Sequence, residues 1–261
     1  METQNTQVTV KGFFQREDVK SKFQELLGNR STQFITSLMS IVNNSSYLKN
    51  TKPDSIYTAA MMAAALDLPI NQNLGFAYII PYNDKNNGQV AQFQIGYKGL
   101  IQLALRSGQF KTISACPVYE GQLVSENPLT GFVFDFSKKT SETIIGYASY
   151  FSLLNGFEKT LFLTKEQAEK HGRRFSANYK KYGTGLWKDD FDGMSLKTVL
   201  KMLLSKYAPL SIEMQKAVIA DQSVINSVED MDVEYVDNNS EEKVQIDTTE
   251  RINKLKEDGS K

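Results

Sequence analysis

The sequence predicts an α+β fold: a mostly antiparallel sheet packed with helices, with helical N-terminal and C-terminal segments and a disordered acidic tail. Three observations predict it. Apolar residues recur at helical spacing up to Leu66 and again from Lys188, the stretch between them alternates around turn signals, and the chain after residue 225 is acidic and short of large apolar side chains. Helices, then strands, then helices indicate α+β rather than alternating βαβ units. With 261 residues, 41% of them apolar and 23% charged, the chain can bury a sizeable core.

Residues 1–15 are expected to form a flexible N-terminus, polar at its start. Glu17 to Leu27 carries Val19, Phe23, Leu26 and Leu27 near helical spacing, and Gly28-Asn29 supplies a stop. Ser31 can cap a second helix with a broad face of Phe34, Ile35, Leu38, Met39, Ile41 and Val42. Pro53 at a first-turn position opens a third, the Ala/Met-rich Ser55 to Leu66. Phe76 to Tyr82 and Val90 to Ile95 flank the turn-rich Asn83 to Gly88 as a hairpin. Tyr97 to Ser107 returns to helical spacing and Gly108 closes it. Phe110 to Tyr119, Phe132 to Phe136, Ile144 to Leu154 and Lys159 to Leu163 read as strands, with Asn155-Gly156 as a two-residue hairpin turn. Thr164 caps a short helix to Lys170, and Gly172 to Gly185 reads as a basic, aromatic loop. A long helix runs from Lys188 to Tyr207, stopped by Pro209, and Ser211 caps the last one to about Gln222.

The formal net charge of zero conceals an asymmetry. Residues 1–225 carry 25 Lys and Arg against 19 Asp and Glu, whereas residues 226–261 carry 5 against 11. The positive excess sits in residues 170–206, where nine basic residues face three acidic ones. Such a concentration is the footprint of a polyanion or a merely solvated surface. Val228 to Glu242 reads as a disordered linker, and Asp247 to Glu250 could open a short docking helix presenting Ile252 and Leu255.

Several chemistries are excluded. One cysteine, Cys116, rules out a disulfide framework and a multi-cysteine zinc site, and one histidine, His171, rules out H-E-x-x-H. The phosphate-cradle motif G-x-x-x-x-G-K-[ST] is missing, as are G-x-G-x-x-G and G-x-S-x-G. No cofactor is expected. The longest uncharged run, Ser31 to Leu48, holds ten Ser, Thr, Asn and Gln among 18 residues, too polar for a membrane span, and a cytoplasmic setting is expected. Ahead of the acidic tail, Asp189, Asp190 and Asp192 are clustered carboxylates; they read as a metal-dependent nuclease site or, more simply, as helix-start charges facing the positive dipole end.

Two basic sets are candidate DNA contacts. Arg173, Arg174, Lys180, Lys181 and Lys188 interleave with Phe175, Tyr179, Tyr182 and Trp187, while Lys197 and Lys201 lie four apart and share a helix face. Tyr182 is the ring retained among these candidates. Lys98, Arg106 and Lys111 form a sparser set on and after the Tyr97 helix. Core packing for the rings and plain solvated surface for the lysines are the competing readings.

The segment from Phe93-Gln94-Ile95-Gly96-Tyr97-Lys98-Gly99-Leu100 through Arg106-Ser107-Gly108, the preceding Leu66-Asp67-Leu68-Pro69-Ile70, and the downstream Trp187, Met194, Lys197-Thr198-Val199-Leu200 and Tyr207-Ala208-Pro209-Leu210-Ser211 resemble the RecT/Redβ family of phage and prophage single-strand annealing proteins. The resemblance spans roughly residues 15–225. It implies an ATP-independent, non-enzymatic protein that binds single-stranded DNA, pairs it with a complementary strand to give duplex, and promotes recombination as a ring or helical filament. It also implies a homo-oligomer, a partner 5′→3′ exonuclease and contact with a host single-strand-binding protein. Residues 16–225 would then hold DNA binding, annealing and oligomerisation, and residues 226–261 an acidic linker and partner-docking tail.

Overall fold

The computed structural model describes residues 9–84, 87–127 and 129–235. The chain opens with α1 (Val10–Phe14), α2 (Glu17–Leu27), α3 (Ser31–Asn44), α4 (Ser46–Lys49) and α5 (Pro53–Ala65). Within the segment expected to be flexible, residues 10–14 form α1. Thr9 accepts a hydrogen bond from Gly12 N at 3.1 Å, and the buried rings of Phe13 and Phe14 pack edge-on to each other and against Tyr57 and Phe23 respectively. Residues 1–8 lie outside the described residues. α5 is apolar on nearly every side and is correspondingly central, with Ile56, Ala59, Ala60, Met61, Met62, Ala63 and Ala64 buried.

Against α5 lies the hairpin of β1 (Ala77–Asp84) and β2 (Gly88–Ile95), in register from Ala77↔Ile95 to Asp84↔Gly88. The free edge of β2 is covered by the chain near residue 222: Gln222 N donates to Phe93 O at 2.9 Å and Phe93 N to Ser223 O at 3.2 Å. α6 (Tyr97–Arg106) follows and ends at Gly108, whose φ of +68° suits glycine. Then come β3 (Phe110–Tyr119), β4 (Leu123–Asn127), β5 (Gly131–Phe134), β6 (Ile144–Leu153) and β7 (Glu158–Thr164). β3, β6 and β7 form an antiparallel sheet in that order. β4 was not expected; it pairs with β5 as a ribbon whose Phe132 and Phe134 pack on Phe162 of the sheet.

The C-terminal half holds α7 (Lys165–Phe175), α8 (Ala177–Tyr182), α9 (Leu186–Asp189), α10 (Phe191–Tyr207) and α11 (Ile212–Ala220), then β8 (Val224–Ser227) and β9 (Asp232–Glu234). α10 packs on the face of the three-stranded sheet opposite the ribbon, where Ser149 Oγ donates to Val199 O at 3.1 Å and Tyr147 Oη donates to the Asp192 carboxylate. The α+β class therefore stands, but as a three-stranded sheet and three separate two-stranded ribbons. Two boundaries move. The supposed loop from Gly172 is the end of α7 followed by α8, and the long helix breaks at Asp190. Residues 228–235, read as disordered linker, take part in the β8–β9 hairpin, and the remainder of the acidic tail, including the docking helix at Asp247, lies outside the described residues. No helix among the described residues is long and apolar enough to cross a membrane.

Candidate nucleic-acid interface

The basic stretch is carried by three short helices folded over one indole. Thr164 and Gln167 close a capping box at the start of α7, which fixes where that helix begins. Gly172 faces Trp187: a Cβ there would sit 2.6 Å from the indole, so only glycine lets α7 and α9 approach this closely. Trp187, buried, stacks on Tyr179 at 6.1 Å and meets Phe191 edge-on at 5.7 Å, while His171 contacts Phe175 at 4.4 Å. Three of the four interleaved aromatics are thus packing groups. Tyr182 differs: its ring is 64% exposed, with Lys181 Nζ 5.0 Å from its centroid.

With the rings turned inward, the cations turn outward. Arg174, Lys180, Lys181 and Lys188 are exposed and have no carboxylate within ion-pair distance among the described residues. Arg173 is exposed too, but its Nη2 donates to Glu169 at 2.8 Å, one helical turn back. The lone histidine sits behind them. Burial, then the charges of Lys201 and Arg174, push the His171 imidazole down to about 4, so it is neutral at pH 7.

Lys98 is exposed on a different helix. It lies in the first turn of α6, whose N-cap, Gly96, offers no side chain to the free N–H groups. The loop before β1 presses against that turn: Cβ atoms on Gly96 and Gly99 would meet the carbonyl oxygens of Gly75 and Phe76 at 2.0 and 2.2 Å. A Cβ on Gly75 would lie 3.3 Å from Tyr78 Oη and 3.5 Å from Lys98 Cδ. Tyr78 in turn has its hydroxyl pKa raised by burial and then by Asp190, two residues beyond Lys188. Tyr78 and Lys98 thus both lie against Gly75, and the charge of Asp190 reaches Tyr78.

The remaining candidates are elsewhere. Arg106 lies eight residues along α6 from Lys98, about 12 Å at the helical rise. Its guanidinium donates to Leu66 O at 2.7 Å and Asp67 O at 2.6 Å, holding a turn in which Asp67 has a φ of +48°. Lys111 is exposed at the irregular start of β3, beyond the far end of α6.

Lys197 requires a correction. It is not the solvated lysine that helical spacing suggests: its side chain is 8% exposed, and Nζ donates to Asp221 Oδ1 at 2.8 Å. Lys201, half-buried, donates to Oδ2 of the same carboxylate at 2.7 Å. Asp221 is fully enclosed and its Oδ1 also accepts from Ile95 N at 3.1 Å. Burial alone would raise its pKa, but the two ammonium groups outweigh burial and hold the carboxyl below its ordinary value. This node joins α10 to the end of β2, directly before Gly96-Tyr97-Lys98. Asp221 was missed because no local motif marks an acid 20 residues or more from its partners.

The acidic cluster does not converge on one point. Asp190 caps α10 by accepting from Gly193 N at 3.0 Å, and Asp192 is the acceptor for Tyr147. Among the described residues, no group of three or more His, Cys, Asp or Glu is placed to hold a metal ion.

The RecT family matches the chain over residues 32–238, from the start of α3 through β9, and this span includes every residue of both basic sets. The chain belongs to the RecT family. It is 51% identical over 214 residues to the Uncharacterized protein YqaK of Bacillus subtilis (strain 168), covering 82% of this chain and 72% of that protein. It is 30% identical over 187 residues to Protein RecT of Escherichia coli (strain K12), covering 67% of this chain and 65% of that one. RecT-family membership supports single-strand DNA annealing and recombination in general terms.

Proposed function

We propose that the chain binds single-stranded DNA through the α7–α9 surface and Lys98, pairs it with a complementary strand without ATP, and works as a ring or helical multimer. The observation that carries this reading is the division of labour in the basic stretch: Phe175, Tyr179 and Trp187 packed inward, with Arg174, Lys180, Lys181 and Lys188 outward and free of carboxylates among the described residues. Cations that neutralise phosphates hold a strand without regard to sequence, and bases left unstacked by protein stay free to pair. Pairing needs no external fuel, since stacking releases about 1.4 kcal/mol per base-pair step. No catalytic group is assigned. Tyr182 is the ring available for a base. A 5′→3′ exonuclease supplying single strands and a host single-strand-binding protein belong to the same reading through the family resemblance.

The test mixes complementary oligonucleotides with the protein in the absence of nucleotide and metal and follows pairing by fluorescence. Acceleration over the protein-free rate is expected. An unchanged rate removes the proposal, and tight coating with slowed pairing would make the chain a strand protector instead.

A further inference from the structure

Two features on different parts of the molecule complement each other. The first is a cavity of about 440 Å³ between α3, the segment 67–76 and α6, with an apolar floor that includes Leu27, Phe34, Leu74 and Phe76. Its rim carries Arg30 and Arg106 against the single carboxylate of Asp67, which Arg30 already holds at 2.5 Å. The charged residues that line the cavity are thus two arginines and one aspartate, with Glu213 lining a neighbouring pocket on the other side of Arg106. The second is the tip of the β4–β5 ribbon. Asn127 Oδ1 accepts from Leu129 N at 2.9 Å and Thr130 N at 3.1 Å, and this turn presents Leu129 at 88% exposure. Nearby Glu126 is exposed and has no cation within ion-pair distance among the described residues.

We infer that the cavity receives the Leu129 tip of a second copy of this chain, with Glu126 of that copy facing the arginine rim. The pairing is apolar at its centre and opposite in charge at its edge, the arrangement of a small anchor with a polar surround. Because tip and cavity are different patches, the contact is heterologous: each copy keeps a free tip at one end and a free cavity at the other. Repetition closes into a ring or continues as a helix according to the rotation between copies. A single leucine gives modest affinity per contact, and a shared DNA strand would add the contacts together. The inference rests on the multimeric part of the proposed function, but its test contains no DNA, so it fails separately from the annealing assay.

Sedimentation velocity of the full chain tests it. Wild type is expected to form multimers. Leu129→Glu, at an exposed tip, and Ser37→Trp, which fills the cavity from α3, are each expected to be monomeric. An equimolar mixture of the two should form a dimer of one copy each and nothing larger, since only one intact tip and one intact cavity remain per pair. Gln33→Trp at the rim serves if Ser37→Trp does not fold. A monomeric wild type, multimers from either variant alone, or a mixture that stays monomeric overturns the inference.

Discussion

Replacing Asp221 by alanine tests the electrostatic node beneath the candidate interface. The carboxylate is fully enclosed and serves three donors: Lys197 Nζ at 2.8 Å, Lys201 Nζ at 2.7 Å and Ile95 N at 3.1 Å. Its removal leaves the Lys197 ammonium buried without a counter-charge, and breaking such a pair costs about 3–5 kcal/mol. Lys201 reaches water and can be rehydrated, so Lys201→Met should cost about 1 kcal/mol or less. For a chain of this size each kcal/mol moves the melting temperature by about 2–4 °C, so Asp221→Ala should lower it by about 10 °C. Urea unfolding followed through the fluorescence of Trp187, the one tryptophan, reads the same quantity. The double variant Lys197→Met with Asp221→Asn removes the stranded charge and keeps an acceptor for Ile95, so it should lose less than the sum of the single changes. A loss under about 1 kcal/mol for Asp221→Ala, or strict additivity in the double variant, would refute the reasoning. Acid adds a second reading. The folded carboxyl titrates below its ordinary 3.8, so its contribution is complete above that value and disappears as pH falls through the lower folded value. Asp221→Asn should abolish that acid-dependent component.

The other expectations concern separate parts of the molecule. Changing Lys180, Lys181 and Lys188 together to alanine should flatten the salt dependence of single-strand binding by about 2 in log–log slope, at about 0.7 per lost phosphate contact, whereas Lys197→Met should leave the slope unchanged. Filter binding between low and moderate salt decides, and an unaltered slope in the triple variant would move the interface elsewhere. Gly96→Ala forces a Cβ against the Gly75 carbonyl oxygen and should destabilise by about 3 kcal/mol in thermal melts; a wild-type melting temperature would show that the loop yields. The imidazole of His171 is depressed to about 4 against an ordinary 6.5, so the neutral folded form is fully favoured above 6.5 and stability erodes as pH falls from 6.5 toward 4. His171→Gln should flatten urea midpoints across that window, and an identical pH profile would exclude His171 as the cause.

Elements whose cause is local were legible before any fold was known. Ser211 caps α11 through its bond from Met214 N, Pro53 opens α5, Gly108 stops α6, and Asn155 accepts from Phe157 N in the β6–β7 turn. Each depends on residues within a few positions of itself. β4 escaped notice because its Val124, Ser125, Glu126 and Asn127 are exposed and show no buried alternation. The basic segment read as loop because Gly172 looks like a helix stop, although its missing side chain makes room for Trp187. α1 was overlooked because five residues are too few to show a helical period.

The candidate site divides along the same line. Composition located the basic stretch of residues 170–206, and the order of residues in several separated segments carried the resemblance to the RecT family, since charge count and residue order are properties of the string. Which cations reach solvent was decided by packing. Lys197 and Lys188 look alike in sequence, yet α10 is covered by the sheet and α6 whereas α9 exposes Lys188. Helical spacing places two lysines on one face, but an acid 24 positions after Lys197 determines that this face is internal. A charge becomes a binding group or a structural one according to what the rest of the chain brings within a few ångströms of it, and that distance is set only when the elements dock.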